Sequence, residues 1–197
     1  MDETKHMNLA VYQKAKKGNY YCGDSYFYKE TEDAFVCAIA DGLGSGEMAR
    51  ESSKAVMEIV EDYPELTIES LVNKCNEALV GKRGVVLGIL RIDFRSQTYS
   101  YSSIGNIGVI IVSAEGKKSR NIPLAGYLAG FPRKLRVSQG KVEEGMKFLM
   151  FSDGVNDRRF PLKRVHTDGV DRIIEHYKEL YGQSRDDDTT LIAMEYE

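Results

Sequence analysis

Apolar positions along the chain follow two spacings, and each predicts its own elements. Phe35, Val36, Cys37, Ala38, Ile39 and Ala40 form an unbroken run, short and partly β-branched, which predicts a buried strand over 34–40. It stops at Asp41, and three glycines follow within five residues, at 42, 44 and 46. The spacing then turns helical. Met48, Ala49, Ala55, Val56, Ile59, Val60 and Tyr63, with small Ser52 filling the stripe, predict a helix over 47–63 that Pro64 stops. Thr67 is placed to cap a second helix with Leu71, Val72, Cys75, Ala78 and Leu79 inward and Gly81 as its stop.

From residue 85 the pattern is that of short strands: 85–93, 98–103, 109–114, 120–124, 135–139 and 147–151, separated by turn residues such as Glu115-Gly116. Two strands precede the buried run, at 9–15 and 26–30, joined through a turn at Lys17-Gly18-Asn19. A third helix is expected over 168–181, with Val170, Ile173, Ile174, Tyr177 and Tyr181 on one face, and a last strand over 190–196. Short connections imply antiparallel pairing, so the fold class is α+β, with antiparallel sheet covered by helices rather than threaded by βαβ units. No linker or repeat divides residues 1–197, and one domain is expected.

Composition narrows the function classes. With 27 basic and 30 acidic residues and a net charge of -3, no nucleic-acid footprint stands out. Cys22, Cys37 and Cys75 are odd in number and widely spaced, as reduced thiols of a cytoplasmic protein would be. No apolar run approaches the roughly 18 residues of a membrane span. His6, His166 and His176 lack the spacing of a zinc site or a triad, and His176 is expected to face solvent. Arg158-Arg159 and Lys163-Arg164 read as a solvated loop or as a docking edge for a phosphoprotein. The apolar stretch 126–131 reads as core or as a hydrophobic lip, with core preferred.

The chemistry lies in a recurrence. Asp24, Asp41, Asp153 and Asp187 each stand between a turn and an apolar strand, and Asp41 and Asp153 are each followed by Gly. One such Asp is ordinary turn chemistry. Four gathered at one sheet end would repel by several kcal/mol unless a cation sits among them. Oxygen donors without His or Cys nearby favour Mg²⁺ or Mn²⁺ over zinc.

Gly23-Asp24-Ser25, Ala40-Asp41-Gly42, Ser103-Ile104-Gly105-Asn106, Ser152-Asp153-Gly154 and Asp187-Asp188-Thr189-Thr190 resemble, in order and spacing, the metal-dependent Ser/Thr protein phosphatases of the PPM (type 2C) family. The resemblance covers essentially the whole chain. The segments 22–25, 40–46, 103–106, 123–130 and 184–185 are further similar to short bacterial members that act in the stressosome and feed back on the general stress response. It implies two antiparallel β-sheets packed as a sandwich and flanked by helices, with two ions, Mn²⁺ or Mg²⁺, at one end. Asp41 would bridge both ions, with the Gly42 carbonyl as a further ligand. Asp153 and Asp187 would hold one ion, and Asp24 the other. Asp41, Asp153 and Asp187 would then be catalytic, through a water made acidic between the ions. Asp186 and Asp188 flank Asp187, and a shift of one residue would exchange their roles.

The implied substrates are phosphorylated STAS-domain proteins, either a stressosome scaffold or an anti-anti-sigma factor, bound by a monomer with no nucleic acid or membrane involved. Four departures from the larger members stand out. Leu43 replaces a His thought to protonate the leaving group, Gly23 a metal-associated Glu, Asn106 an Asp, and Asn19 falls near a phosphate-gripping Arg for which Lys16 or Lys17 are substitutes. They motivate a second reading, a pseudophosphatase that binds a phosphoprotein without turnover.

Overall fold

The computed structural model of the chain describes residues 5–155, 162–183 and 186–197. The unbroken apolar run became β3 (Ala34–Gly42), and its neighbours explain why it has no polar face. Phe35, Cys37 and Ile39 enter the core between two sheets, while Val36, Ala38 and Ala40 lie beneath helices. The sheet around it runs β2 (Asp24–Glu30), β3, β4 (Val85–Asp93), β5 (Thr98–Ile104) and β8 (Ser138–Lys141), antiparallel throughout. The facing sheet runs β1 (Met7–Lys14), β10 (Thr189–Tyr196), β9 (Lys147–Phe151), β6 (Gly108–Val112) and β7 (Lys118–Arg120), also antiparallel.

Helices α1 (Glu47–Asp62) and α2 (Ile68–Ala78) cover the outer face of the β3 sheet with Val56, Val60, Leu71 and Cys75. Beyond the short α3 (Leu162–Val165), α4 (Val170–Tyr181) covers the other sheet, Ile173, Ile174 and Tyr177 meeting Leu149, Leu191 and Ala193. The result is the expected sandwich of two antiparallel sheets flanked by helices, with three apolar layers. Among the described residues no helix is long and apolar enough to cross a membrane. Cys37 and Cys75 are buried and Cys22 half-buried, all as free thiols; burial is the main cause that pushes Cys22 and Cys75 up to about 12.

Several boundaries differ from the sequence reading, each for a local reason. The strand expected at 120–124 ends at Arg120: Asn121 N–H still donates to the Val109 carbonyl at 2.9 Å, but the Asn121 side-chain Oδ1 accepts from Val109 N–H, at 2.7 Å. Leu124 has by then crossed to the other sheet, where it bridges Ile104 in parallel. The strand expected at 109–114 closes early in a turn in which Gly116 N–H donates to the Ser113 carbonyl. The alternation Leu135, Val137 suggested a strand at 135–139, yet both side chains pack on the helix-side core while pairing begins only at Ser138.

Within 126–131 only part is core. Leu128 is 1 % exposed and exchanges hydrogen bonds with Val85, whereas Phe131 is 74 % exposed. His176 is half-buried rather than solvent-facing. Arg158, Arg159, Ser184 and Arg185 lie outside the described residues.

The Thr67 cap is present: its hydroxyl accepts from Ser70 N–H at 3.3 Å. Thr67→Ala is expected to cost about 1 kcal/mol, read as a fall of about 2–4 °C in Tm by calorimetry.

Candidate functional site

The antiparallel register sets Asp24, the first residue of β2, directly opposite Asp41 near the end of β3. The facing sheet delivers the other acids to the same end. Asp153 follows β9 and Asp187 and Asp188 precede β10, and β9 and β10 are hydrogen-bonded neighbours. The four acids singled out in the sequence therefore share one end of the sandwich, two from each sheet.

Asp24 is 3 % exposed. Its Oδ2 accepts from the Thr190 hydroxyl at 2.8 Å, and Gln13 Nε2 donates both to Thr190 Oγ1 at 3.1 Å and to the Asp24 carbonyl at 3.3 Å. Ser152 completes the support, its Oγ accepting from Thr190 N–H at 2.9 Å. Among the described residues the other oxygen, Oδ1, has no partner. Burial pushes the Asp24 carboxyl up to about 6, partly offset by the Ser152 and Thr190 hydroxyls, with Asp188 and Asp153 adding to the rise. Asp41 rises to about 8, first through burial and then through the charges of Asp24, Asp153, Asp187 and Asp188. Asp153 is raised by burial and by Asp187, and lowered by backbone N–H groups and by the Asn106 amide, which donates to its Oδ2 at 2.6 Å.

The last run of acids divides its labour. Asp188 Oδ1 accepts from Lys16 N–H at 2.8 Å and its Oδ2 from Gly23 N–H at 2.9 Å, so this carboxylate clamps the 16–23 loop. Asp187 stands 54 % exposed with Lys16 Nζ at 3.7 Å from its Oδ1, and its charge bears on Asp41 and Asp153. Sequence reading named Asp24, Asp41, Asp153 and Asp187 as the acids of the site. It missed Gln13, Ser152 and Thr190 as the support of Asp24, and Asp188 as a clamp. Ser152 and Thr190 stood inside the recurrent motifs and carried a signal; Gln13, one polar residue in a strand, carried none.

Glycines shape the walls by absence of a side chain. A Cβ on Gly42 would lie 1.9 Å from the Ala49 carbonyl oxygen, and one on Gly154 would lie 2.1 Å from that of Asp188. A Cβ on Gly23 would meet Asp188 Oδ2 at 2.9 Å, so the space a Glu needs there is already taken. Leu43, where larger phosphatases place an acid, is half-buried with its methyl near Gly84. Beside Asp24 a cleft of about 380 Å³ opens between β2 and α1, with Arg50 and Lys54 in its lining. The Arg50 guanidinium lies 3.9 Å from the Tyr21 ring centroid.

Among the described residues no three acids converge closely enough to chelate one ion as they stand. The donor set nevertheless fits a hard divalent cation. It is all oxygen, among the described residues it holds a buried carboxylate oxygen with no partner, and it gathers like charges that a cation would balance.

Comparison with known proteins agrees with this geometry. The family model "Stage II sporulation protein E (SpoIIE)" matches residues 31–197. The phosphoserine phosphatase RsbX of Bacillus subtilis (strain 168) is 40 % identical over 194 residues, 98 % of this chain and 96 % of RsbX. A crystal structure of RsbX in complex with magnesium superposes with a TM-score of 0.92 at 36 % identity, over 100 % of this chain and 98 % of that one. A structure from the bacterial stressosome, described as a modular system adapted to control secondary messenger signalling, gives 0.86 at 28 % identity, over 96 % and 100 %.

The raised carboxyls set a sign for stability. A folded-state pKa above the ordinary 3.8 means that the folded chain keeps its protons longer than the unfolded one, so stability falls as pH rises from about 4 towards 8. In chelator, Tm is expected to drop across this window, and Mn²⁺ or Mg²⁺ at pH 8 to raise it. Asp41→Asn is expected to flatten the pH dependence and to remove most of the metal-induced rise. A metal response that survives this substitution unchanged would exclude Asp41 as a ligand.

Proposed function

The chain belongs to the SpoIIE family of PP2C-type phosphatase domains, and on that footing we propose that it hydrolyses phosphoserine or phosphothreonine on STAS-domain regulatory proteins of a bacterial stressosome. It is a phosphoric monoester hydrolase with the PP2C sandwich. The observation that carries the reading is the facing pair Asp24 and Asp41, with Asp153 and Asp187 added from the other sheet. The likeness to RsbX over nearly the whole chain, and to a stressosome structure, supports the class of substrate and a role in feedback control. Three separate free thiols suit the reducing cytoplasm. We take residues 1–197 as one catalytic unit acting as a monomer.

Asp41, the Gly42 carbonyl, Asp153 and Asp187 would hold the divalent cation, Mn²⁺ or Mg²⁺, and Asp24 would reach a second. Bound there, such ions supply Lewis acidity that acidifies a water and balances the charge of phosphoryl oxygens. The chain's own residues do the rest. Asn106 fixes the Asp153 carboxylate through its amide. Lys16 brings a positive charge to the mouth, where a phosphoryl group would enter. Asp188 keeps the loop that carries Lys16 against Gly23. Leu43 offers no proton to the departing serine oxygen.

The test is phosphate release from a phosphorylated STAS-domain protein, with Mn²⁺ or with EDTA, by wild type and by Asp153→Ala. Metal-dependent release is expected, reduced by about 10²-fold or more in the variant. Release that persists in EDTA, or an Asp153→Ala variant as active as wild type, would sink the reading. Tight binding of the phosphoprotein by wild type with no release would identify a binding module instead.

A further inference from the structure

Residues 80–84 lead from α2 into β4 and pass the acidic end of the sandwich on the side away from β2. The strand order there is β2, β3, β4, with Asp41 opposite Val86, and Leu43 N–H extends the ladder by donating to the Gly84 carbonyl at 2.8 Å. The loop 125–133 lies against this segment. A Cβ on Gly84 would meet the Tyr127 ring at 2.6 Å and the Leu43 methyl at 2.9 Å, so these two apolar groups flank Gly84. A Cβ on Gly130 would meet Val80 Cγ2 at 2.9 Å. Val80 is 70 % exposed, Phe131 74 % and Tyr127 49 %. Single exposed apolar residues need no explanation, but here three share one rim with half-buried Leu43, two residues after Asp41.

The rim is held in shape by its own backbone bonds. Arg133 donates to the Tyr127 and Ala125 carbonyls, both at 2.7 Å. Asn76 Oδ1 accepts from Gly130 N–H at 2.9 Å, and its Nδ2 donates to the Phe131 carbonyl at 2.6 Å. A surface whose backbone is already fixed loses little freedom when it is covered. Charge then narrows what covers it. Lys82 is paired with Glu51, whereas exposed Arg83 meets no carboxylate among the described residues. Arg83 lies against the loop after Asp41, since a Cβ on Gly44 would strike its Nη1. Lys16, on the β2 side of the mouth, is already engaged by Asp187. Resting on the phosphatase reading, we propose that Val80, Arg83, Tyr127 and Phe131, with Leu43, form the specificity-determining rim of the site. It seats the segment of the phosphoprotein next to the phosphoserine, with an apolar side chain on the 126–131 loop and an acidic one on Arg83. Continuity with the mouth names this occupant. A phosphoserine placed at the acids carries its flanking chain across the border of the site, and this border offers apolar surface beside an unpaired cation.

The test compares two substrates on the full chain with Mn²⁺: a phosphorylated STAS-domain protein, and p-nitrophenyl phosphate, which has no flanking chain. Phe131→Ser, Val80→Ser and Arg83→Ala each alter an exposed side chain, so a wild-type Tm is expected of all three. Phe131→Ser and Arg83→Ala are each expected to raise KM for the phosphoprotein by about tenfold, as loss of one anchoring contact does. Their kcat and their rate on p-nitrophenyl phosphate stay at the wild-type values, and Arg83→Lys restores most of the KM. Should one variant fold poorly, the others decide. Phosphoprotein kinetics unchanged in all three variants overturn the proposal and leave the phosphatase reading standing. A p-nitrophenyl phosphate rate lost in Arg83→Ala puts Arg83 at the phosphoryl group and overturns its role on the rim. A dimer seen by sedimentation and abolished by Phe131→Ser assigns the rim to a second copy of the chain, again against the proposal. If wild type binds the phosphoprotein without releasing phosphate, the same variants are read by Kd, and the same tenfold is expected. A wild type that neither hydrolyses nor binds it ends the substrate reading and the proposal together.

Discussion

Asp24 and Asp41 repel each other and cannot move apart. They are opposite residues of adjacent antiparallel strands, and such a pairing holds Cα atoms about 4.5–5.5 Å apart whatever the side chains carry. Relief by backbone movement would mean unzipping β2 from β3, and β3 is packed on both faces by apolar side chains. The apolar layers therefore hold a charge arrangement that the acids alone would undo. What remains adjustable is protonation, which is why both carboxyls lie above their usual range, Asp41 more than Asp24.

The difference between these two acids follows from their partners. Asp24 is the more buried, yet it rises less, because hydroxyls from the other sheet donate to it. Asp41 receives no such offset and carries the charges of four other aspartates. Hydroxyls are suited to this work, since they steady a carboxylate without cancelling its charge and leave one oxygen available. The same links cross from one sheet to the other at their ends. Thr190 on Asp24 and Asp188 on Gly23 join the two layers at the site. Gly42 and Gly154 serve here by allowing backbone contact rather than by unusual torsion angles, for neither has a positive φ and both lie where a Cβ would strike a carbonyl.

Much of this was legible in the sequence because it is periodic or repeated. The apolar run at 35–40, the stripe of α1, the Thr67 cap and the strands at 85–93 and 147–151 all depend on local spacing, and the strands agree to the residue. Four acids at strand ends were visible as a recurrence, though only the register of β2 on β3 shows that two of them face each other. What could not be read depends on single contacts across long separations. Asn121 gives its side-chain oxygen to Val109 N–H where a strand ends, Leu135 and Val137 alternate without pairing, and Gln13 reaches Thr190 across 177 positions. None of these leaves a period in the sequence.

The departures from the larger phosphatases form a set once their contacts are known. Gly23 lacks a side chain because Asp188 already occupies that space, so a Glu there would have to displace a carboxylate that clamps the loop. Asn106 in place of an Asp turns another repulsion into a 2.6 Å hydrogen bond to Asp153. Lys16 adds a positive charge beside Asp187. Each change makes the cluster less negative while leaving Asp24, Asp41, Asp153 and Asp187 in place. The consequence for chemistry is a site with less charge to attract further cations and, with Leu43 at the acid's position, no proton donor at that position. A positioned general acid contributes about 10²- to 10⁴-fold, so an enzyme without one gives up rate. On the proposed reading that loss is compatible with feedback, where the choice of phosphoprotein matters more than turnover. Selectivity must then come from contacts around the mouth, among them Lys16, Arg50 and the exposed Tyr21, and not from the acids.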